Sequence, residues 1–271
     1  MKISHRLREL WQYRELTRNL VARNLKVRYK NSLLGVAWSL LSPMGMMVVY
    51  TVFFSLVQPN HNIRDYPVLL LCGMLPWSFC MDSVMQATES IVGDAQLIKK
   101  VYFPREILPL SVVLSNLIGF AISLPIFFGL ALALQSPLTW WILLLPVTLL
   151  IQLTFVLGLS LILATLNVFY RDTQHLLGVV MQAWFFLTPV FYPIQTVPAE
   201  VQFLGLTLNA QLWLRRLNPM ASIIASYRDL LYWGQPTGFD FLMRTAVTAL
   251  VVLVVGYLVF LRYSPRFGES V

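Results

Sequence analysis

The ionisable side chains that could do chemistry are few and widely spaced. Asp82 and Glu89 stand seven residues apart inside a long apolar run, so on a helix they share one face. Intramembrane carboxylates carry function by default. These two suit a gating or structural role better than a proton relay, because Glu89 falls near the end of its helix, where water or a salt bridge is available. His5, His61 and His175 are scattered and no His-Glu-x-x-His occurs, so no metal centre is expected. Gly158-Leu159-Ser160 lacks the second glycine of a nucleophile elbow, and Ser160 reads as a packed helical serine. No Gly-Lys pair occurs anywhere. The chain therefore has no phosphate-cradling loop of the Walker type. Cys72 and Cys80 lie about 12 Å apart along a helix, too far for a disulfide, and read as small apolar residues. With acidic residues so dispersed, a membrane-embedded glycan transferase, which would gather carboxylates at one membrane face, is disfavoured.

The elements that hold these residues belong to a membrane. Of 271 residues, 58% are hydrophobic and 12% charged, and mean hydropathy is +0.69. Soluble domains carry about 25% charged residues. Uncharged stretches long enough to cross about 30 Å of hydrocarbon predict six helices at about 35–57, 67–91, 108–134, 138–168, 175–194 and 241–261. Gln135-Ser136-Pro137 divides the longest run. The expected fold is an all-α polytopic membrane protein. Its divisions are a cytoplasmic amphipathic interface segment at 1–30, a transmembrane domain at 31–265, and an outer segment at 195–240 within it.

Charge placement sets the orientation. Nine of the 20 Lys and Arg residues precede residue 31. Summed over alternate loops, fifteen fall on the side of the termini and five on the other. The positive-inside rule puts both termini in the cytoplasm. The N-terminal segment has no apolar core of a secretory signal. The net charge of +8 is accounted for by topology and anionic lipid, and no basic soluble domain is available for nucleic acid.

Two segments are more than simple loops. Leu7, Leu10 and Trp11, then Val21 and Leu25, share helical spacing among basic residues, which predicts an amphipathic helix in the cytoplasmic interface. Between the fifth and sixth helices, 201–214 and 217–227 are apolar yet too short to span, with Asn218-Pro219 between them. Such pieces predict re-entrant half-helices, shielded by protein or lining a cavity. No paired, Gly- or Pro-broken inverted repeat marks a secondary transporter. Trp38, Tyr50, Phe53, Phe79, Trp184 and Phe185 are the candidate pore-lining rings. Core packing is the commoner use of such residues.

The stretch 93–109, GDAQLIKKVYFPREILP, and the junction 23–43, RNLKVRYKNSLLGVAWSLLSP, resemble the permease subunits of type-2 ABC exporters of polysaccharides and teichoic acids. Asn167–Asp172 (NVFYRD), Thr188–Pro193 (TPVFYP) and Leu217-Asn218-Pro219-Met220 fit the same family in the same order. The resemblance implies two copies of this chain paired with two copies of a separate ATPase, which binds the ATP and magnesium while this chain holds no cofactor. It implies export of a lipid-linked glycan through the inner (cytoplasmic) membrane, O-antigen first, with capsule, teichoic acid or a small lipid or drug as alternatives. The ATPase would dock on Lys99, Lys100, Tyr102, Phe103, Pro104, Arg105 and Glu106, with Tyr170, Arg171 and Asp172 as a second contact. Arg23, Lys26, Arg28 and Lys30 would meet the lipid diphosphate at the cytoplasmic boundary.

Overall fold

The structure is a computed structural model, and it describes residues 9–29, 38–57, 65–203 and 206–270. It is almost wholly helical. In chain order the helices are α1 (Arg14–Tyr29), α2 (Trp38–Val57), α3 (Tyr66–Gly93), α4 (Ala95–Lys100), α5 (Ile107–Ala133), α6 (Leu145–Phe169), α7 (Thr173–Leu187), α8 (Ala210–Leu217), α9 (Pro219–Leu231), α10 (Phe239–Tyr263) and α11 (Phe267–Ser270). A short antiparallel hairpin, β1 (Glu200–Phe203) with β2 (Leu206–Asn209), follows α7; Glu200 pairs with Asn209 and Phe203 with Leu206.

Among the described residues, four helices are long and apolar enough to cross a membrane: Tyr66–Gly93, Ile107–Ala133, Trp140–Phe169 and Phe239–Arg266. Their bounds fall within a few residues of the second, third, fourth and sixth predicted helices. Of the other two predicted helices, the first reaches its predicted end at Val57 and the fifth is shorter than expected. The first begins at Trp38 among the described residues, and its apolar stretch is Leu41–Phe53. The fifth stops at Leu187, not at 194, and its 15 residues reach only about 22 Å. Thr188 precedes Pro189 and adopts extended backbone, as a residue before proline prefers.

Helix α3 is the hub. It packs on α2, α5, α6, α7 and α9, and from Val68 to Cys80 only Ser78 is not fully buried. Two side chains and a backbone carbonyl tie α9 to α6 and α3 through a buried polar relay. The Tyr227 hydroxyl donates to Gln152 Oε1 at 2.7 Å, and Gln152 Nε2 donates to the Pro76 carbonyl at 2.7 Å. Tyr227 and Gln152 are both fully buried, where unmade hydrogen bonds would be costly. Asn218 caps α9, accepting from the Ala221 amide at 3.2 Å, and Pro219 fills the first helical position, where its missing N–H costs nothing. The turn at Asn218-Pro219 therefore separates α8 from α9, as its chemistry predicts.

Helices α6 and α10 cross where two glycines meet. A Cβ on Gly256 would strike the Gly158 carbonyl, and one on Gly158 would lie 2.5 Å from the Leu253 amide nitrogen. Small residues at such crossings let helix backbones approach. In an open helix position, Gly→Ala stabilises by about 1 kcal/mol. Here the sign reverses. Gly256→Ala is expected to cost about 1–3 kcal/mol, the range of overpacked cores, read as a lower unfolding midpoint of the purified protein in detergent.

Candidate functional site: a short helix clamped between α1 and the C-terminal helices

The short helix α4 and the turn after it, residues 101–106, form the site. Asp94, at the N-terminal end of α4, is gripped from α1: Arg23 Nη1 and Nη2 donate to its two carboxylate oxygens at 2.8 and 2.6 Å. This fork-on-fork geometry is the strong form of the arginine–carboxylate pair, and it raises the Arg23 guanidinium further above its usual range. From the other side, Arg105 donates to the Ser264 carbonyl beyond α10, and Gly268 of α11 lies against the same guanidinium. A second apolar core closes the clamp. Ile98, Phe103, Ile107 and Leu108 pack there with Leu20 of α1 and with Phe260 and Phe267. Phe267 is fully buried and meets the Phe260 ring at 5.2 Å and the Phe169 ring at 6.2 Å. A push on α4 is therefore carried to α1, α5, α6 and α10 as one packed unit.

This arrangement sorts the predicted docking residues into two sets. Phe103, Pro104 and Glu106 are buried and Arg105 is half-buried, so these four hold the loop instead of offering it to a partner. The physical reason is the apolar pocket between α1, α6 and α11, which takes the Phe-Pro pair inward. Lys99, Lys100 and Tyr102 remain outside, with Tyr102 88% exposed. Tyr170, Arg171 and Asp172, between α6 and α7, are also exposed. These six of the predicted docking residues are the ones a partner could touch.

The basic residues of α1 are likewise divided. Arg23 is committed to Asp94. Arg28 Nη2 donates to Asp82 Oδ2 at 2.7 Å, and its Nη1 to Asn116 of α5. Asp82 thereby serves as the anchor of α1 on α3, and the same ion pair replaces a free gating carboxylate. Glu89 is exposed on α3, and Lys26 is exposed on α1. Lys30 lies outside the described residues. The signal missed in the sequence was complementarity over distance. The pairs Arg23–Asp94 and Arg28–Asp82 are 71 and 54 residues apart, and no helical spacing reveals them.

Arg23–Asp94 is partly open to solvent, with side-chain exposures of 44% and 21%. Exposed ion pairs are worth about 0–1 kcal/mol, and bidentate ones stand at the upper end. A double-mutant cycle on Arg23→Ala and Asp94→Ala is expected to give a coupling of about 1 kcal/mol that shrinks in high salt, measured from unfolding midpoints.

The candidate pore rings mostly pack inside one protomer. Tyr50 of α2 stacks on Phe191 at 5.7 Å and 8°, and Trp77 of α3 meets both Trp184 and Phe185 of α7 at 5.6 Å. Phe79 packs on Phe120, which packs on Tyr227. Phe53 alone of the described set is mostly exposed; of Trp38 only the backbone is described. Phe186, Val179 and Leu176 of α7 also point outward.

A residue not singled out in the sequence organises the opposite end. Arg228 of α9 is 5% exposed. Its terminal nitrogens donate to the carbonyls of Val190 at 2.7 Å and Tyr192 at 2.9 Å, in the unwound chain beyond α7. The Tyr66 hydroxyl donates to the Phe191 carbonyl between them at 2.8 Å. Pro189 and Pro193 deny this segment a helical hydrogen-bond ladder, and Arg228 supplies it. Gly73 of α3 makes the room: a Cβ there would strike the Val190 carbonyl.

Comparison with known proteins relates the chain to exporter permeases by sequence. The chain is 39% identical over 265 residues to the O-antigen export system permease protein RfbA of Myxococcus xanthus, covering 98% of each chain. It is 31% identical over 248 residues to a Klebsiella pneumoniae protein of the same name, covering 91% of each. It is 22% identical over 253 residues to the polysialic acid transport protein KpsM of Escherichia coli, covering 88% of this chain and 89% of that one. Residues 15–232 match the family described as ABC-2 type transporter, and the chain is a member of that family.

Proposed function

We propose that this chain is the channel-forming subunit of an ATP-driven exporter of lipid-linked polysaccharide, with O-antigen as cargo. The observation that carries the cargo is the near full-length likeness to a protein named as an O-antigen export permease. The chain sits in the inner membrane with both termini cytoplasmic, supported by the fifteen-to-five bias of Lys and Arg. Helices α2 and α7 complete six crossings with the four long ones. The hairpin, α8 and α9 form the outer re-entrant segment. The burial of α9 against α3 and α6 supports that placement, because backbone at membrane depth must be shielded by protein.

Two copies work with two copies of a separate ATPase, which binds ATP and magnesium. The exposed apolar faces of α2 and α7, carrying Phe53 and Phe186, line the path between copies. Lys99, Lys100 and Tyr102 dock on the ATPase, with Tyr170, Arg171 and Asp172 beside them. Closure of the ATPase dimer on ATP moves α4, and the clamp makes α1 and α10 move with it. Energy enters only through contacts that differ between the two states. Of the proposed diphosphate contacts, Lys26, exposed on α1, is left to meet the cargo, since Arg23 and Arg28 are already paired.

Co-expression with the ATPase encoded beside the gene tests the assembly. The expected result is a complex whose mass corresponds to two permeases and two ATPases. A folded permease that recruits no ATPase would overturn the proposal.

A further inference from the structure

A cleft beyond the end of α7 holds two arginines against one carboxylate among the described residues. It is bounded by Pro189 and Pro193 of the unwound segment, Arg215 of α8, Arg228 and Asp229 of α9, and Trp233. Arg228 is buried, and both its terminal nitrogens are spent on backbone carbonyls. Those carbonyls satisfy hydrogen bonds but carry no net charge. Its Nε has no acceptor. Arg215 is half-buried, and its Nε is likewise buried without an acceptor. Its guanidinium lies 6.0 Å from the Phe241 ring centre. Among the described residues neither arginine makes an ion pair at 4 Å or less. Asp229 lines the same cleft, so two arginines face one carboxylate. Buried charge is ordinarily paired, and an unpaired buried donor calls for an explanation.

Several features suit the cleft to a phosphoryl group. Arginine presents a fork of donors matched to phosphate oxygens. Arg228 is fixed by its two carbonyls and supplies a standing positive field. Arg215 has Asp229 as its charged neighbour, and no hydrogen bond among the described residues fixes its guanidinium, so its fork can turn inward. Trp233, 47% exposed, stands at the rim, as amphipathic rings do at membrane boundaries. Arg244 adds positive charge close by, 5.2 Å from the same Phe241 ring. The positive-inside rule gives no reason for arginines here if this is the outer face, so their accumulation asks for a local anion.

We propose that this cleft binds a phosphoryl oxyanion, with Arg215 as its direct ligand and Arg228 as the fixed counter-charge. The binding site itself follows from the cleft. Only the identity of its natural source, the phosphate of a lipid-linked glycan or that of a bilayer headgroup, rests on the export reading above.

The test uses the complete permease–ATPase complex in phosphatidylcholine nanodiscs, with the nucleotide sites filled by ADP and radiolabelled pyrophosphate as the probe. The wild-type complex is expected to bind pyrophosphate saturably. Arg215→Gln should weaken that binding tenfold or more, Arg215→Lys should restore part of it, and Arg216→Gln, exposed and off the cleft, should leave it unchanged. Adding phosphatidylglycerol to the nanodisc separates the sources: competition with pyrophosphate assigns a bilayer headgroup, and no competition assigns the cargo's phosphate. Absence of binding to the wild type, or equal binding by wild type and Arg215→Gln, would overturn the proposal. A complex that assembles and exports normally while failing this test would leave the transport function standing and remove only the site.

Discussion

Replacing Arg228 with methionine is expected to be among the most damaging single substitutions in the described structure. Methionine keeps most of the side-chain volume and removes every donor. The carbonyls of Val190 and Tyr192 then lose the partners they have at 2.7 and 2.9 Å. Leaving one buried acceptor unsatisfied costs about 1–3 kcal/mol, and two carbonyls are affected. Relief from burying a guanidinium offsets part of this, because buried charge is itself costly. The carbonyl loss wins, since Pro189 and Pro193 leave this segment no helical ladder to fall back on. The unfolding midpoint should drop by about 10 °C, at about 2–4 °C per kcal/mol for a chain of this size. Arg228→Lys should fall nearly as far, because an ammonium on a flexible stem lacks the planar fork. A midpoint for Arg228→Met within about 2 °C of wild type would show that these bonds do not hold the segment.

The second large effect separates two neighbouring aromatics. Phe103→Ala should destabilise the permease itself by about 3–5 kcal/mol, the cost of emptying a buried ring site, because Phe103 is 5% exposed within the core that contains Phe260 and Phe267. Tyr102→Ala combined with Lys99→Glu and Lys100→Glu should leave stability within about 0.5 kcal/mol, since all three side chains are exposed. The same triple variant should weaken ATPase association by about thirtyfold, the equivalent of a 2 kcal/mol hot spot. Thermal unfolding of the permease and equilibrium binding of the ATPase, run on both variants, check the contrast. Loss of ATPase binding by Phe103→Ala with unchanged stability would place Phe103 at the interface after all.

Much of the fold was legible because the bilayer imposes a simple length rule. Four of the six predicted helices match the long helices to within a few residues, and the Asn218-Pro219 break falls where its capping chemistry puts it. The fifth helix was read too long. Its apolar composition continues through Val190 and Phe191, and hydropathy does not register that Thr188 before Pro189 must leave the helix. The hairpin at 200–209 was hidden for a similar reason: its residues are apolar enough to resemble a half-helix.

The site was legible in position and misread in orientation. The run of Lys99, Lys100, Tyr102, Phe103 and Pro104 marked a cytoplasmic feature. Which of its side chains face inward depends on α11, whose Phe267 fills the other half of the same pocket 164 residues later. Arg228 was counted only as an outer charge. A lone arginine in an otherwise apolar stretch, with two prolines in the segment before it, is the signal that could have exposed its role. Carbonyls stripped of helical partners need a donor, and Arg228 is the only cation on α9.

The central claim is that this chain forms an ATP-driven path for a lipid-linked glycan and receives its drive through α4. The most direct measurement places the permease and its ATPase in liposomes with lipid-linked O-antigen and follows appearance of the glycan on the far side. The account predicts translocation that requires ATP and both subunits, and that falls to background when Lys99, Lys100 and Tyr102 are changed together. Translocation without ATP, or at the wild-type rate in the triple variant, would contradict it.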